Sequence, residues 1–249
     1  MTKPVLVIGS RHDVKLPNLH FKNIYSANGA ADLVKNYKKN FNDICHISTF
    51  GVQEFLKNIS VRERIVKSKP DRLIIRNGNL NIKNYDFENL SEVTKISGFK
   101  DMSVQISKLD LSIFGFISSE LKYTENKKIN YFFRCLKNGF FQGFSSGLFA
   151  ALIAATENPL SEIIISGIGL QDGGGHFYTN EDHKGFFSKN DKLNQSNQFR
   201  NTNRKRVEEW LFKNLKTDVK NRFSSPNIEF CKSANIKHLN CSIIDKFFI

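Results

Sequence analysis

Short apolar runs alternate with stretches of helical spacing along most of the chain. The first run extends from Pro4 to Gly9 and stops at the glycine, which is the pattern of a buried parallel strand entering a turn. Further runs predict strands over 21–26, 43–47, 72–76, 162–167 and 227–231, and helical spacing predicts helices over 30–39, 52–59 and 202–216. This alternation is typical of an α/β fold with a mainly parallel sheet. The chain contains no linker and no repeat, so we expect one domain over residues 1–249.

One predicted helix has an unusual composition. Ser145, Ser146 and Gly147 precede Leu148 to Ala155, a run that is small and apolar on every face, so we expect a fully buried helix. The N-terminus of such a helix offers N–H groups and a partial positive charge to a phosphate or a carboxylate. The serines are also ordinary helix caps, and the two roles are compatible.

In a parallel α/β sheet, ligands bind beyond the carboxyl ends of the strands. Four segments follow predicted strands and are therefore candidates: 9–13, 26–30, 46–51 and 167–178. In the first, Gly9 allows backbone N–H groups to approach a phosphate, with Ser10 beside it and Arg11 adding charge. The glycine patterns of dinucleotide-binding and P-loop sites are absent here, and a tight strand exit is the alternative interpretation.

The segment after Gly167 and Gly169 is the most informative. The triplet Gly173-Gly174-Gly175 has no packing role that we can assign, so it predicts close backbone approach or a mobile lid, over about 171–200. Titratable side chains follow the triplet at His176, Tyr178 and His183. Either histidine is a candidate general base, with His183 preferred, and a solvated surface histidine is the alternative for each.

The charge predicts an anionic partner. Lys and Arg number 37 against 24 Asp and Glu, a formal net charge of +13, which attracts nucleic acid, an acidic membrane surface or a phosphorylated substrate. A generic lysine-rich surface is the alternative. No recognition helix or aromatic platform is visible in the sequence, so we expect no specific nucleic-acid binding.

Two further sequence features limit the class of protein. The four cysteines lack CxxC spacing, so a zinc ribbon is not expected and the reducing cytoplasm is the natural compartment. No stretch of about 18 apolar residues is present, so any membrane association is expected to be peripheral.

The chain resembles the bacterial sialyltransferase family that decorates lipooligosaccharides. The resemblance is carried by FSSGLFAALIAATENPLSEIIISGIGL, by the opening strand to Gly9-Ser10 and by the segment Tyr25-Ser-Ala-Asn28. The resemblance covers about half the chain in separate short pieces, and their order is the persuasive part. It implies a single Rossmann-type domain with a small lid. It also implies metal-free, inverting transfer of sialic acid from CMP-sialic acid to a glycan, free or lipid-linked, with no cofactor.

Carried over by position, the resemblance implies that Asn28, with Gly29 after it, contacts the cytidine nucleotide. It implies that Ser146 and Gly147 hold the donor's carboxylate or phosphate, and that Tyr178 meets the leaving phosphate. The chain departs from the family at Gly169, where the family has Asp, and at Gln171, where it has Tyr. The family's histidine base corresponds to 198–200, which reads Gln-Phe-Arg, so the base is assigned to His183 or His176.

The function expected from the sequence is transfer of a nonulosonic acid, sialic acid or a Kdo-like sugar, from a CMP-activated donor to a glycan acceptor. We expect a cytoplasmic protein, peripheral at the anionic inner membrane. Two alternatives stay open. One is a non-catalytic nucleotide- or glycan-binding homologue, and the other is a retaining transferase with Asp172 as the nearest candidate nucleophile.

Overall fold

The computed structural model describes residues 2–51, 55–56, 58–76, 105–106, 145–170, 177 and 208–244. The strands within these residues are β1 (Val5–Ile8), β2 (Leu16–Pro17), β3 (Asn23–Ala27), β4 (Cys45–Gly51), β5 (Arg72–Arg76), β6 (Gln105–Ile106), β7 (Ile163–Ser166), β8 (Phe223–Ser225), β9 (Lys237–His238) and β10 (Ile243–Ile244). Eight of them form one sheet in the order β6-β5-β4-β3-β1-β7-β8-β9, and every pairing in it is parallel. The remaining two, β10 and β2, pair antiparallel. The predicted α/β fold with a mainly parallel sheet is confirmed.

Helices connect and cover these strands. A 3₁₀ helix, Asn28–Val34, leads into α1 (Lys35–Lys38), and the others are α2 (Ile59–Ser68), α3 (Ser146–Glu157), α4 (Thr217–Lys220) and α5 (Ile228–Ala234). Residues 55–56 and 208–213 are also helical. Within the described part of the chain, none of the helices combines the length and apolar character that crossing a bilayer requires.

The two faces of the sheet are covered by different helices. Side chains alternate along β1, so Val5 and Val7 pack on one face with α3, and Leu6 and Ile8 pack on the other with the 3₁₀ helix and α1. Every residue of α3 from 146 to 155 is buried. The prediction of a fully buried helix after Ser145 is therefore confirmed, and this helix forms the centre of one layer of the core.

The predicted strand over 227–231 is wrong, because these residues begin α5. Asn227 caps the helix by accepting a hydrogen bond from the Phe230 N–H at 3.0 Å, and Asn235 ends it in the left-handed conformation with φ of 54°. The alternation Ile-Glu-Phe-Cys imitates a strand over four residues. Burial of Phe230, Cys231 and Ala234 has helical spacing instead.

The predicted helix over 52–59 ends at the first residue of helix α2. Helix α2 starts at Ile59, after Asn58, whose side chain accepts from the Val61 N–H at 3.2 Å. Of the predicted range, residues 55, 56 and 59 are helical, and 52–54 and 57 lie outside the described residues. The asparagine cap of α2 is a boundary signal that the prediction did not use.

Long side chains anchor the far end of α3 at the amino edge of the sheet. Glu157, its last residue, accepts hydrogen bonds from the Tyr25 hydroxyl at 2.5 Å and from the Arg72 guanidinium at 2.5 Å. Asn158 donates to Tyr25 Oη at 3.1 Å and accepts from Asn23 at 3.0 Å. This network of side chains, which we call the amino-edge network, fixes α3 so that its other end reaches the carboxyl edge.

Candidate functional site

The strand order places a crevice between β1 and β7. From β1 the chain adds β3, β4, β5 and β6 on one side and then returns to add β7, β8 and β9 on the other. Neighbouring connections at the point of reversal leave the sheet on opposite sides, and ligands bind in open α/β sheets at the carboxyl ends of these two strands. The residues that follow β1 and β7 are therefore the first place to look for a site.

Gly9 and Gly167 bring the exits of these two strands into backbone contact. The Gly9 N–H donates to the Ser166 carbonyl at 2.7 Å, and the Arg11 N–H donates to the Gly167 carbonyl at 3.0 Å. A Cβ at Gly9 would lie 2.2 Å from the Gly167 oxygen, and one at Gly167, whose φ is +66°, would lie 2.4 Å from the Gly9 oxygen. Both positions thus require glycine for packing between the strands.

The start of α3 reaches the same place. A Cβ at Gly147 would lie 2.8 Å from Ile168 Cγ1, the same distance that separates this atom from a Cβ at Gly9. Ser145 is the cap, with its Oγ accepting from the Leu148 N–H at 3.2 Å, and Ser146, 8% exposed, is the first helical residue. The partial positive charge of a twelve-residue helix therefore points at the crevice.

A buried carboxylate already lies at this helix start. Glu208, 1% exposed, belongs to the helical segment 208–213 and accepts a hydrogen bond from the Ser145 N–H. Its negative charge offsets part of the positive end of α3. Sequence reasoning missed this residue, since nothing in the local pattern connects 208 with 145.

Arg11 lies against the exit of β7. A Cβ at Gly169 would lie 2.0 Å from Arg11 Nη1, so only glycine leaves space for the guanidinium in this position. Asp13 holds Arg11 from the other side, with Nε donating to Oδ1 at 2.9 Å, and Asn227 donates to the second carboxylate oxygen at 3.0 Å. Burial raises the pKa of Asp13, but the hydrogen bond and charge of Arg11 and the hydrogen bond from Asn227 outweigh it, so the pKa is lowered.

Phe177 lies beside Ser10. Its N–H donates to the Ser10 carbonyl at 2.9 Å, and the Arg64 guanidinium lies 5.6 Å from the centre of its ring. Arg64 in turn donates to Asp32 at 3.2 Å, so Phe177 is joined through these side chains to the 3₁₀ helix.

Asn28 and Gly29 follow β3, the neighbour of β1 in the sheet. Asn28 adopts a φ of 52°, in the left-handed region that asparagine tolerates. Its Oδ1 is buried and has no hydrogen-bond partner within the part of the chain that the structure describes. A buried carbonyl oxygen without a partner is unfavourable, so a ligand that donates to it would relieve the penalty.

The candidate segment 46–51 was expected to follow a strand and is wrong, because all of it lies within β4. Strand β4 extends from Cys45 to Gly51, so His46 lies inside the sheet, fully buried, with Nε2 2.8 Å from Ser26 Oγ. Burial, and then the charge of Lys38, lower the pKa of His46 to about 3 against the opposing charge of Asp71. This histidine is a neutral core residue at ordinary pH.

The structure therefore brings together most of the predicted donor-binding residues that it describes. Those at the β1–β7 crevice are Gly9, Ser10, Ser145, Ser146, Gly147, Gly167 and Gly169, and Asn28 with Gly29 follow the adjacent strand. The predicted catalytic residues His176, Tyr178 and His183 lie outside the described residues, as do the predicted lid, Phe177 excepted, and Asp172. Among the described residues, no group of three or more His, Cys, Asp or Glu side chains is placed to hold a metal ion.

The arrangement supplies the parts of an anion-binding crevice: helical N–H groups, a guanidinium and glycine-lined strand exits. Comparison of the chain with protein-family models, with curated proteins and with solved structures gives no match. The function is therefore inferred from the crevice itself and from the sequence segments that meet there.

Proposed function

We propose that this protein is a glycosyltransferase that transfers a nonulosonic acid from a CMP-activated donor to a glycan acceptor. The observation that carries the proposal is the meeting of three separate sequence segments at Ile168: the exit of β1 at Gly9, the start of α3 at Gly147 and the exit of β7 at Gly167. These are segments that carry the resemblance to the bacterial sialyltransferases, and they lie where the strand order reverses. A single Rossmann-type domain with a lid over about 171–200 belongs to the same proposal.

The nucleotide part of the donor fits the neighbourhood of Asn28. Its Oδ1, which has no partner among the described residues, is an acceptor, and the exocyclic amino group of cytosine is a donor that uracil lacks. We assign binding of the donor's phosphate and carboxylate to Ser146, Gly147 and the strand exits. The formal charge of +13 favours an acceptor on an anionic lipid surface, with the protein peripheral on the cytoplasmic side.

In the proposed reaction, a base removes the proton of the acceptor hydroxyl while its oxygen bonds to the anomeric carbon of the donor. The bond from that carbon to the phosphate oxygen breaks, and CMP leaves with the electron pair. We assign the base to His183, with His176 as the alternative, and stabilisation of the leaving phosphate to Tyr178 with the start of α3. No metal enters this mechanism, and the anomeric configuration is inverted.

A thermal-shift panel of CMP, UDP, GDP and their sugars tests the donor. A ligand at a hundredfold excess over its Kd stabilises the fold by roughly 2.7 kcal/mol, and we expect CMP and CMP-sugars to give the largest shift. Ser146→Ala should reduce that shift, while Asn58→Ala, which removes a cap from α2, should lower the melting temperature and leave the CMP shift unchanged. A preference for UDP or GDP would overturn the donor assignment.

Release of CMP in the presence of a glycan acceptor tests the activity. The same assay on His183→Ala and His176→Ala identifies the base, whose loss should lower the rate at least about a hundredfold. NMR of the product distinguishes inversion from retention. CMP binding without CMP release would favour the non-catalytic homologue instead.

A further inference from the structure

We infer that the amino edge of the sheet docks on an anionic lipid bilayer, with Leu160 inserted among the headgroups and exposed lysines facing the lipid phosphates. The inference rests on the proposed function for the expectation that the protein meets an anionic membrane, and on the residues of the amino edge for the surface. It does not depend on the donor or on the reaction, because the amino edge and the crevice lie at opposite ends of the strands.

The amino edge carries an exposed leucine. Leu160 is 86% exposed, more than any other large hydrophobic side chain in the described part of the chain. It lies between the end of α3 and the start of β7. An exposed apolar side chain is common by itself, so what distinguishes Leu160 is how it is held and what surrounds it.

Leu160 lies at the tip of a fixed turn over residues 158–161, which we call the Leu160 turn. The Ser161 N–H donates to the Asn158 carbonyl at 3.1 Å and closes the turn, and Pro159 at its second position restricts the backbone. The Arg222 guanidinium donates to the carbonyl of Asn158 at 2.6 Å and to that of Ser161 at 3.2 Å. Because the turn is fixed in advance, little conformational freedom is lost when its tip enters a membrane.

Exposed lysines lie along the same edge. Every pairing in the large sheet is parallel, so the residues that precede its strands lie together at the amino edge. A lysine without a carboxylate partner can pair with a lipid phosphate at no cost to the fold. The exposed lysines of this edge that form no ion pair within the described part of the chain are Lys22, Lys69, Lys216 and Lys237.

The Leu160 turn lies within this row of lysines. It leads into β7, which has β1 and β3 on one side and β8 and β9 on the other. The Val5 N–H donates to the Glu162 carbonyl at 2.9 Å, and the Lys22 N–H donates to the Pro4 carbonyl at 3.0 Å. Since adjacent strands are about 4.8 Å apart, Lys22 starts roughly 10 Å across the sheet from the turn. Lysines therefore flank the exposed leucine on both sides.

The amino edge keeps a net positive charge. Three of its carboxylates are already neutralised by ion pairs: Asp43 with Lys3, Asp71 with Lys38, and Glu157 with Arg72. Among the described residues, Glu162 and Asp218 are carboxylates of this edge without an ion pair, and the unpaired lysines outnumber them. Nucleic acid would also suit the charge, but an aliphatic side chain has no stacking partner there, whereas it can enter the apolar layer beneath lipid headgroups.

Docking through the amino edge leaves the crevice facing away from the bilayer. Strand β4 has seven residues and spans roughly 20 Å between the two edges. The donor therefore enters the crevice from solution, and a lipid-linked acceptor reaches it with a glycan of comparable length.

Co-sedimentation with vesicles of phosphatidylcholine, alone or with an equal amount of phosphatidylglycerol, tests the surface. We expect the wild type to bind only the anionic vesicles, and to bind them less tightly as salt is raised. Leu160→Asp should lower the affinity about fivefold or more, because the inserted side chain is lost. Ile59→Asp is the matched control: Ile59 is 60% exposed at the start of α2, on the crevice side, and its replacement should leave the affinity within twofold.

Charge reversal tests the lysines in the same assay. Lys22→Glu should lower the affinity about fivefold or more, since one lysine near an anionic surface contributes roughly that factor. Lys15→Glu makes the same change at an exposed lysine beyond the carboxyl end of β1, farther from the bilayer than a Debye length, and should change the affinity less than twofold. All four substituted side chains are exposed, so each variant should melt like the wild type.

The outcomes separate this inference from the proposed function. If neutral vesicles bind equally well, or if the two variants of either pair lose the same affinity, the inference is wrong. Preference for a single-stranded oligonucleotide over the anionic vesicles would overturn it as well. Vesicle binding without a thermal shift from CMP leaves the inference standing and overturns the donor, and a CMP shift without vesicle binding does the reverse.

Discussion

The two edges of the sheet are built in opposite ways. At the amino edge, the end of α3 is fixed by long side chains, with Glu157 joined to Tyr25 and to Arg72. At the carboxyl edge, the start of the same helix packs through Gly147 against the Ile168 side chain, and the two strand exits meet through Gly9 and Gly167, which leave no space between their backbones. Directional side-chain bonds secure one end, and the other end has a small-residue surface that a ligand can approach. The difference predicts that stability and binding respond separately to changes at the two edges.

Acid should produce the largest effect, through His46 near the amino end of β4. The unfolded chain binds a proton on this histidine near pH 6.5, whereas the folded protein does so only near pH 3, so its contribution is fully favourable above pH 6.5 and falls as the pH drops toward 3. The shift corresponds to roughly 5 kcal/mol over that whole range. Urea unfolding at pH 7.5 and pH 4.5 should show a steeper loss of stability in the wild type than in His46→Gln. Parallel losses would show that this residue does not titrate as proposed.

The next largest effect should distinguish two glycines at the carboxyl edge. Gly9→Ala forces a Cβ to within 2.2 Å of backbone, and we expect it to lower the free energy of unfolding by about 3 kcal/mol. A Cβ at Gly169 would meet the Arg11 side chain from Cδ to Nη1, and a side chain shifts more readily than backbone, so we expect Gly169→Ala to cost about 1 kcal/mol or less. Denaturant titration of both variants measures the difference, and equal costs would contradict the distinction between backbone and side-chain contact.

The sequence predicted the elements that contain continuous apolar runs. β1, β5 and α3 were found almost to the residue, because continuous apolar runs are bounded by glycine, asparagine or serine. Helices α2 and α5 were missed, since each has a short, mixed sequence and begins at an asparagine cap that the apolar pattern does not reveal. Asn58 and Asn227 were the available signals.

The residues of the candidate site also divide into those that the sequence predicted and those that it did not. Gly9, Gly147 and Gly167 were predicted from local strand and helix boundaries. The ring of contacts around Arg11 could not be predicted, because it joins residue 13 to residue 227 and residue 11 to residue 169. Glu208 was missed for the same reason, since the partner of its carboxylate is 63 positions earlier in the chain.

The amino-edge network should produce a smaller effect than Gly9→Ala. Glu157→Ala leaves the Tyr25 hydroxyl and the Arg72 guanidinium without their shared acceptor, and we expect a loss of about 2 kcal/mol of stability. Binding of CMP, measured by calorimetry well below the melting temperature, should stay within twofold. Glu229→Ala is the control, because this glutamate forms an exposed ion pair with Lys232 and should change stability by about 0.5 kcal/mol at most. A loss of CMP affinity of more than twofold in Glu157→Ala would show that stability and binding do not respond separately at the two edges.

The position of β1 at the centre of the sheet has a consequence for synthesis on the ribosome. This strand is translated before the other strands of the sheet. One of its two neighbours, β7, is translated much later, so Val5 cannot pair with Ile163 until more than 150 further residues have been added. Until then, β7 cannot pair with this four-residue apolar strand. The strand therefore has an open edge to which another chain can add. Closure of the crevice is thus a late event of folding, because it requires a contact of long sequence separation. A nascent chain that stalls before β7 lacks the site and exposes the very strand on which the site is built.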